Sequence, residues 1–225
     1  MTGTLYGVGV GPGDPELITL KAVRILQEAD MVAVPISGSK KRLALEIAAA
    51  YVQGKPLLYL EMPMISDQEE LERCHDAAFE KVGRELDQGH SVAFVTLGDP
   101  SLYSTFTYLQ RRAQQAGYPV QAVPGVPSFC AVAARAQVPL AEGSEVLTIL
   151  PAPYATEPFP TGNLVFMKVG RHFDRLCQAL GRRLDQAVLV EKCGLEGERV
   201  LNPVDGDKPR TYFSTMIVKQ GREKA

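Results

Sequence analysis

A run of glycines and prolines near the start of the chain constrains the fold more than any other feature. It has the sequence GVGVGPGDP at residues 7–15 and continues an apolar, strand-like segment that begins at Leu5. A dinucleotide-binding G-x-G-x-x-G turn is excluded by register, because Pro12 or Asp14 stands where the third glycine would be. A phosphate-binding G-x-x-x-x-G-K-[ST] loop is absent from the sequence. The run therefore predicts a strand end that lets a second backbone or a flat ligand approach closely.

Two further turns have the same character. Residues 96–101, TLGDPS, end a segment that we predict to be a buried strand, and residues 123–128 have the sequence VPGVPS. Open α/β sheets bind ligands beyond the carboxyl ends of their strands, where all three turns would lie. Each turn alone is compatible with a protein that binds nothing there, but the three together predict one ligand site. In that site, Asp99 could accept a hydrogen bond from an amine or a ribose.

Strand and helix signals alternate along the first half of the chain, which predicts a mostly parallel sheet. The second half is richer in strands, so we predict two α/β domains, residues 1–123 and 124–225. The predicted strands are residues 5–10, 31–34, 57–60, 91–97, 145–150, 163–167, 187–191, 199–201 and 211–218. The predicted helices are one capped by Thr19, one from about Leu43, one with Ser66 and Glu69 as a capping box, and residues 102–116, 128–136 and 172–184. Residues 151–160 are predicted to be an irregular proline-rich loop.

Charge and composition exclude several classes of protein. With 24 basic and 26 acidic residues among 225, the net charge is -2, so no global basic field would attract nucleic acid or an anionic membrane. No apolar run reaches the ~20 residues that span a bilayer, and the first residues lack a signal-peptide pattern, so we expect a cytoplasmic protein. The four cysteines and three histidines are scattered. We therefore expect no disulfide and no protein-bound metal.

The ordered set of three turns resembles the tetrapyrrole methylase superfamily. The resemblance extends from Leu5 to about Val218, and within the superfamily it is strongest to the enzymes that methylate carbon 20 of precorrin-2 or cobalt-factor II. The segments that carry it are LYGVGVGPGDPEL at residues 5–17, PGVPSF at 124–129, FMK at 166–168 and YFS at 212–214. The resemblance implies a methyltransferase of cobalamin synthesis, with two α/β domains, S-adenosylmethionine in the cleft between them, and a homodimer.

The resemblance also implies which residues bind the cofactor. Carried over by position, these are Pro12, Leu97, Gly98, Asp99, Leu102, Tyr103, Pro127, Ser128, Met167 and Cys193. Family members often have Thr-Ala or Ser-Ser where this chain has Pro127 and Ser128, which removes one hydroxyl contact. The candidates for a base that removes the displaced proton are Tyr103, Asp99 and Glu16, chosen by location.

The tetrapyrrole of this family bears eight carboxylates, which call for local cations because the net charge offers none. Lys40, Lys41 and Arg42 follow the second predicted strand, and Lys168 and Arg171 follow another. Either group suits a propionate or acetate, and either could equally be a solvated surface.

Several alternatives fit the same residues. Methylation at carbon 11 or carbon 17 is the closest, because the turns do not fix how the macrocycle lies. A diphthine synthase and a ribosomal RNA methyltransferase belong to the same superfamily, although the acidic balance disfavours RNA. A sensor that binds the ligand without turnover belongs to a different class. Whether the substrate carries cobalt is open.

Overall fold

The computed structural model of the chain describes residues 2–37 and 42–220. The chain divides into two compact units, Met1–Pro127 and Ser128–Ala225. Each unit combines strands with helices, in agreement with the predicted α/β class. The junction predicted between residues 123 and 124 lies shortly before the observed division. No helix within the described ranges has the length and apolar character needed to cross a membrane.

The first unit is built on a parallel sheet. Its strands are β1 (Leu5–Gly9), β2 (Met31–Ile36), β3 (Leu57–Glu61), β4 (Val92–Thr96) and β5 (Val120–Val123), in the order β3-β2-β4-β1-β5. Each neighbouring pair among these strands is parallel. All of β4 and most of β1 are buried, because strands covered on both faces have no polar side to expose.

Helices of the first unit cover both faces of this sheet. They are α1 (Leu20–Glu28), α2 (Leu43–Ala48), α3 (Gln68–Asp87) and α4 (Phe106–Gln115). On the first face α1 and α2 pack on side chains such as Val8, and on the second α3 and α4 pack on side chains such as Phe94. A Cβ at Gly7 would collide with the ring of Phe106. Glycine at this position therefore lets α4 lie close to β1.

The second unit has a mixed sheet. Its strands are β6 (Leu147–Pro151), β7 (Asn163–Met167), β8 (Ala187–Glu191), β9 (Arg199–Leu201) and β10 (Ser214–Val218), in the order β6-β7-β10-β8-β9. The pair β6 and β7 is parallel, and the other neighbouring pairs are antiparallel. Helix α5 (Ser128–Ala136) contacts β8 and β10, whereas α6 (Phe173–Leu180) contributes Phe173 and Leu176 to a core with Phe166 and Met216.

Local structure differs from the sequence prediction at several element ends. The predicted capping box of Ser66 and Glu69 is wrong by one residue, because the Asp67 carboxylate accepts from the N–H of Glu70 (3.0 Å) and caps α3. Strand β5 was not predicted. Helix α4 begins at Phe106 instead of residue 102, and α6 ends at Leu180, where a 3-10 helix, Gly181–Gln186, follows. The loop predicted at residues 151–160 contains a 3-10 helix, Ala152–Tyr154.

Candidate functional site

Three turns meet at the carboxyl edge of the first sheet, as the sequence predicted. They follow β4, β1 and β5, which are adjacent in the sheet. The turn after β1 and the turn after β4 are joined directly, since the N–H of Gly98 donates to the carbonyl of Gly11 (2.8 Å). Both glycines have a positive φ, 81° at Gly11 and 66° at Gly98, a conformation that residues with a Cβ rarely adopt.

Side chains are excluded where the three turns touch. A Cβ at Gly9 would lie 2.5 Å from the carbonyl oxygen of Gly98 and 2.7 Å from the nitrogen of Gly125. A Cβ at Gly125 would lie 2.8 Å from the carbonyl carbon and oxygen of Gly9. The turns therefore pack backbone against backbone. We call Gly9, Gly98 and Gly125 the glycine cluster.

The Asp99 carboxylate fastens two of these turns together. One oxygen accepts hydrogen bonds from the Ser101 N–H (2.8 Å) and hydroxyl (2.5 Å), and the other accepts from the N–H of Gly125 (3.0 Å). Both oxygens thus have partners within the protein. The structure gives Asp99 a role that the sequence did not suggest, which is to hold the turn after β4 against the turn after β5.

A second fastening involves Thr19. Its hydroxyl accepts from the N–H of Ala22 (3.2 Å) and donates to the carbonyl of Pro124 (3.3 Å). The threonine therefore caps α1 and also ties the start of that helix to the turn after β5. In the turn before it, the Asp14 carboxylate accepts from the N–H of Glu16 (2.9 Å). The predicted site residue Pro12 is half-buried in this turn, and Glu16 is exposed.

The segment between β4 and α4 is held at both ends. Beyond the Asp99 contacts, the Ser104 hydroxyl is buried, lies 2.8 Å from the hydroxyl of Thr96, and accepts from the N–H of Phe106 (3.2 Å). Between these anchors, Tyr103 has a φ of 49° and a side chain that is 47% exposed. The predicted site residues Leu97 and Leu102 are half-buried in the same segment.

The charge around the three turns is one-sided. Residues 5–20, 92–110 and 120–128 contain no lysine or arginine, whereas Asp14, Glu16 and Asp99 are acidic. Phosphate sites usually supply positive charge, and these three stretches supply no lysine or arginine. A cationic ligand fits this edge better.

The second unit brings two of the other predicted cofactor residues, Met167 and Cys193, to one edge of its sheet. Met167 ends β7 and pairs with Thr215 of β10, while Glu191 ends β8 and pairs with Ser214 on the other side of β10. Cys193 follows β8 by two residues and therefore lies at the same edge. Pro127 is the last residue of the first unit, and Ser128 begins α5 in the second.

Two lysines at this edge have left-handed backbone. Lys168, directly after β7, has a φ of 62°, and Lys192, directly after β8, has a φ of 53°. The Lys168 ammonium lies 5.6 Å from the centre of the Tyr212 ring, which is 43% exposed and packs edge-to-face on Phe213. Such a cation over an aromatic ring is attractive. Lys192 was not predicted as a site residue, although its position directly after an apolar strand is a signal that could have identified it.

A buried carboxylate stabilises the segment that leads into β10. Glu191 accepts hydrogen bonds from the N–H groups of Arg210 (2.5 Å) and Thr211 (2.5 Å) and from the guanidinium of Arg199 (3.1 Å). Burial acts to raise the pKa of Glu191, but these donors outweigh it and lower the pKa below its usual value. The carboxylate is therefore ionised and positions residues 210–213.

The predicted substrate-binding cations are placed differently from one another. Arg171 is exposed in a 3-10 helix, Gly170–His172, near Lys168 in sequence. Arg42 precedes α2, donates to the hydroxyl of Tyr59 (3.0 Å), and lies 4.2 Å from the centre of that ring. Lys40 and Lys41 lie outside the described residues.

Comparison with known proteins agrees with this geometry. A model of the tetrapyrrole (corrin/porphyrin) methylases matches residues 4–205. A Methanocaldococcus jannaschii protein named "Probable cobalt-precorrin-2 C(20)-methyltransferase" is 38% identical over 224 residues, which cover 96% of each chain. The cobalt-precorrin-2 C(20)-methyltransferase of Salmonella typhimurium is 36% identical over 240 residues and 100% of both chains. The fold is similar to uroporphyrin-III C-methyltransferase from Thermus thermophilus complexed with S-adenosylhomocysteine, with a TM-score of 0.68, 23% identity and coverage of 96% and 97%.

Proposed function

Because the chain belongs to the tetrapyrrole methylase family, as its three turns predicted, we propose that it transfers a methyl group from S-adenosylmethionine to carbon 20 of precorrin-2 or cobalt-factor II. The observation that carries the reaction class is the glycine cluster, where three strand ends meet without side chains and without basic residues. The ring position rests on the two relatives named for carbon 20, because this chain matches both along almost their entire length.

The residues present fit S-adenosylmethionine. Pro12, Leu97 and Leu102 are half-buried around the glycine cluster and can contact the apolar parts of the cofactor. The acidic side chains nearby favour a positive sulfonium over a phosphate. In the second unit, Ser128, Met167 and Cys193 are our further candidates for contacts with the cofactor.

The chain's own residues have to bind, orient and shield the reactants. S-adenosylmethionine, when bound, supplies a methyl group that is already activated on the sulfonium. Asp99 and Thr19 hold the three turns in one arrangement, and this arrangement orients the ligand. A proton must leave the methylated carbon. Glu16 and Tyr103 are the candidates to accept it, because both Asp99 oxygens are already engaged.

The tetrapyrrole carboxylates need cations, and the second unit offers them. Lys168 and Arg171 follow β7, and the exposed ring of Tyr212, which packs on the exposed ring of Phe213, lies beside Lys168. Together they offer charge and a flat apolar surface to an anionic macrocycle. Arg42 of the first unit is a further candidate, held in place by Tyr59.

The direct test offers the purified protein S-adenosylmethionine and, in parallel without oxygen, metal-free precorrin-2 and cobalt-factor II. Mass spectrometry counts the added methyl groups, and carbon-13 NMR locates them. We expect one methyl group at carbon 20, and the preferred substrate identifies whether cobalt is inserted before this step. Gly125→Ala serves as the control with weakened cofactor binding. Methylation at another carbon would contradict the proposed ring position, and cofactor binding without methylation of either compound would favour a later corrin or a protein substrate.

We also propose that the protein works in the cytoplasm as a homodimer, as the family resemblance implies. Light scattering coupled to gel filtration measures the assembly directly. A mass of one chain at micromolar concentration would contradict the dimer and leave the proposed reaction untouched.

A further inference from the structure

Left-handed backbone at a residue with a side chain is rare, and one such residue in this chain has an obvious local cause. Among the described residues, Tyr103, Gln137, Lys168 and Lys192 have a positive φ without being glycine. Gln137 directly follows α5, and the hydrogen bonds from Gln137 N–H to Ala134 (3.2 Å) and from Val138 N–H to Ala133 (3.0 Å) close the end of that helix. A left-handed residue is the usual way to end a helix.

Tyr103 has no such cause. It lies between β4 and α4, three residues before the helix begins, and it does not end any element. Its conformation is imposed by the Asp99 contacts on one side and by the buried Ser104 hydroxyl on the other. Glycine or asparagine would adopt a φ of 49° with less strain. The position nevertheless carries a large aromatic side chain, 47% exposed.

The location suggests what the ring is for. The segment starts at the glycine cluster, where backbone alone can meet a small ligand, and Tyr103 is the first exposed aromatic residue beyond it. A tyrosine ring offers a flat apolar face and a polar tip. That combination matches a conjugated macrocycle with carboxylates at its edge. Strained residues held in place by surrounding contacts are concentrated at active sites and ligand-binding segments.

We propose that Tyr103 is a tetrapyrrole-binding residue, and that its strained backbone is maintained to present the ring to the macrocycle. The inference rests on the proposed function, since it names the partner of the same site. It assigns the ring to the tetrapyrrole and not to S-adenosylmethionine, so the two ligands give separate readouts.

The experiment compares Tyr103→Asn, Tyr103→Phe and Gln137→Asn with the wild type. Tyr103→Asn is expected to raise the KM for the tetrapyrrole by about ten-fold or more, as loss of a ring contact implies, with an unchanged or higher Tm. The Kd for S-adenosylmethionine, measured by calorimetry, is expected to stay within about two-fold. Tyr103→Phe keeps the ring and is expected to keep most of the affinity. Gln137→Asn is the matched control, with a higher Tm and unchanged KM and Kd.

Each other outcome overturns the proposal. An unchanged tetrapyrrole KM in Tyr103→Asn shows that the ring does not bind the macrocycle. A weaker Kd for S-adenosylmethionine with an unchanged tetrapyrrole KM assigns the ring to the cofactor. A Tm well below that of the wild type shows that the ring is needed for folding. A wild type that methylates neither tetrapyrrole overturns the proposed function, and the inference with it, before any variant is made.

Discussion

Each of the two sheets has two residues with left-handed backbone just after its strands end, but the two sheets place different residue types there. On the first sheet, the left-handed positions after β1 and β4 are glycines, Gly11 and Gly98. On the second sheet, the left-handed positions after β7 and β8 are lysines, Lys168 and Lys192. Glycine is present where the backbones of two turns pair with a positive φ, as Gly11 and Gly98 do. Lysine at a strained backbone position suggests that its side chain has a function there.

The electrostatics of the two edges differ in the same way. The three turns of the first unit carry acids and no bases, whereas the second edge carries Lys168, Lys192 and Arg171 beside the buried Glu191. A cationic sulfonium suits the first edge and an anionic carboxylate suits the second. The net charge of -2 does not reveal this difference, because it sums all 24 basic and 26 acidic residues of the chain.

The largest expected effect comes from placing a side chain in the glycine cluster with Gly125→Ala. The new Cβ would lie 2.8 Å from the carbonyl carbon and oxygen of Gly9, so the backbone must shift. Overpacking of this kind costs about 1–3 kcal/mol, and we expect roughly a 100-fold loss of affinity for S-adenosylmethionine in calorimetry.

The matched control is Gly83→Ala in α3, where the nearest atom to a new Cβ is the Tyr118 hydroxyl oxygen at 3.8 Å. Alanine in a helix is expected to be neutral or to stabilise by up to about 1 kcal/mol. If Gly125→Ala bound the cofactor as tightly as Gly83→Ala does, the glycine cluster would not be part of the site.

The next largest effect tests the hydrogen bonds of Asp99 that hold two turns of the first sheet together. Asp99→Ala leaves the N–H of Gly125 without its acceptor and releases Ser101, so we expect about ten-fold weaker binding of S-adenosylmethionine. Methyl transfer at saturating cofactor should change less. Calorimetry and initial rates measure the two quantities separately. Asp99→Asn keeps an acceptor oxygen, so its Kd for S-adenosylmethionine should lie between those of the wild type and Asp99→Ala. An unchanged Kd in Asp99→Ala would contradict this role.

A smaller effect tests the lysine edge. Lys168→Gly removes the side chain and relieves a left-handed backbone, so we expect a Tm that does not fall and a tetrapyrrole KM about five-fold higher. Lys192→Gly should change the KM less, because the Lys168 ammonium lies at the Tyr212 ring that we propose as part of the tetrapyrrole surface, whereas the Lys192 ammonium lies 3.4 Å from the carbonyl oxygen of Glu196. A lower Tm with an unchanged KM in Lys168→Gly would show that the lysine serves the fold alone.

The smallest effect concerns the acid stability of the first unit. Burial, followed by the charge of Arg112, lowers the pKa of His75 below 6.5, while Glu72 and Asp76 oppose this. The unfolded chain therefore takes up a proton first, and stability falls as the pH drops below 6.5. Denaturant unfolding between pH 7.5 and pH 5 should show this loss in the wild type and a flatter profile in His75→Phe. A parallel pair of profiles would contradict it.

The carboxylate of Glu145, in the second unit, affects stability at lower pH than His75 does. Hydrogen bonds from Lys219 and Asn163 lower the pKa of Glu145 from 4.5 to about 2. Its contribution to stability is complete above pH 4.5 and is lost as the pH falls toward 2. Glu145→Gln should therefore remove a transition that lies well below the one assigned to His75.

Strong local signals made most of the fold predictable. The buried strand β4, the cap at Thr19 and the three turns each follow from local chemistry, and the turns meet as expected. Strand β5 was not predicted because it has only four residues and is partly exposed. Its conformation depends more on pairing with β1 than on its own composition. The antiparallel pairing of β10 with β7 and β8 also depends on contacts that are distant in sequence.

The candidate site was predicted less completely than the fold. Residue types indicated that Gly98 and Asp99 matter, but not that Asp99 binds Gly125, because that contact joins residues far apart in the chain. The start of α4 at Phe106 was missed for a related reason. The hydrogen bonds of Asp99 and Ser104 hold the preceding residues out of the helix, although their apolar spacing continues the helical pattern.

The position of β1 in its sheet has a consequence for the order in which the protein is made. Leu5 pairs with Val92 on one side and Val120 on the other, so β1 is synthesised before both of its partners. At ~5–20 residues per second, that wait is on the order of ten seconds. Until then the nascent chain exposes an apolar strand with two open edges. The strands of the second unit follow each other within a shorter stretch of chain, so we expect its strands to remain unpaired for a shorter time than β1.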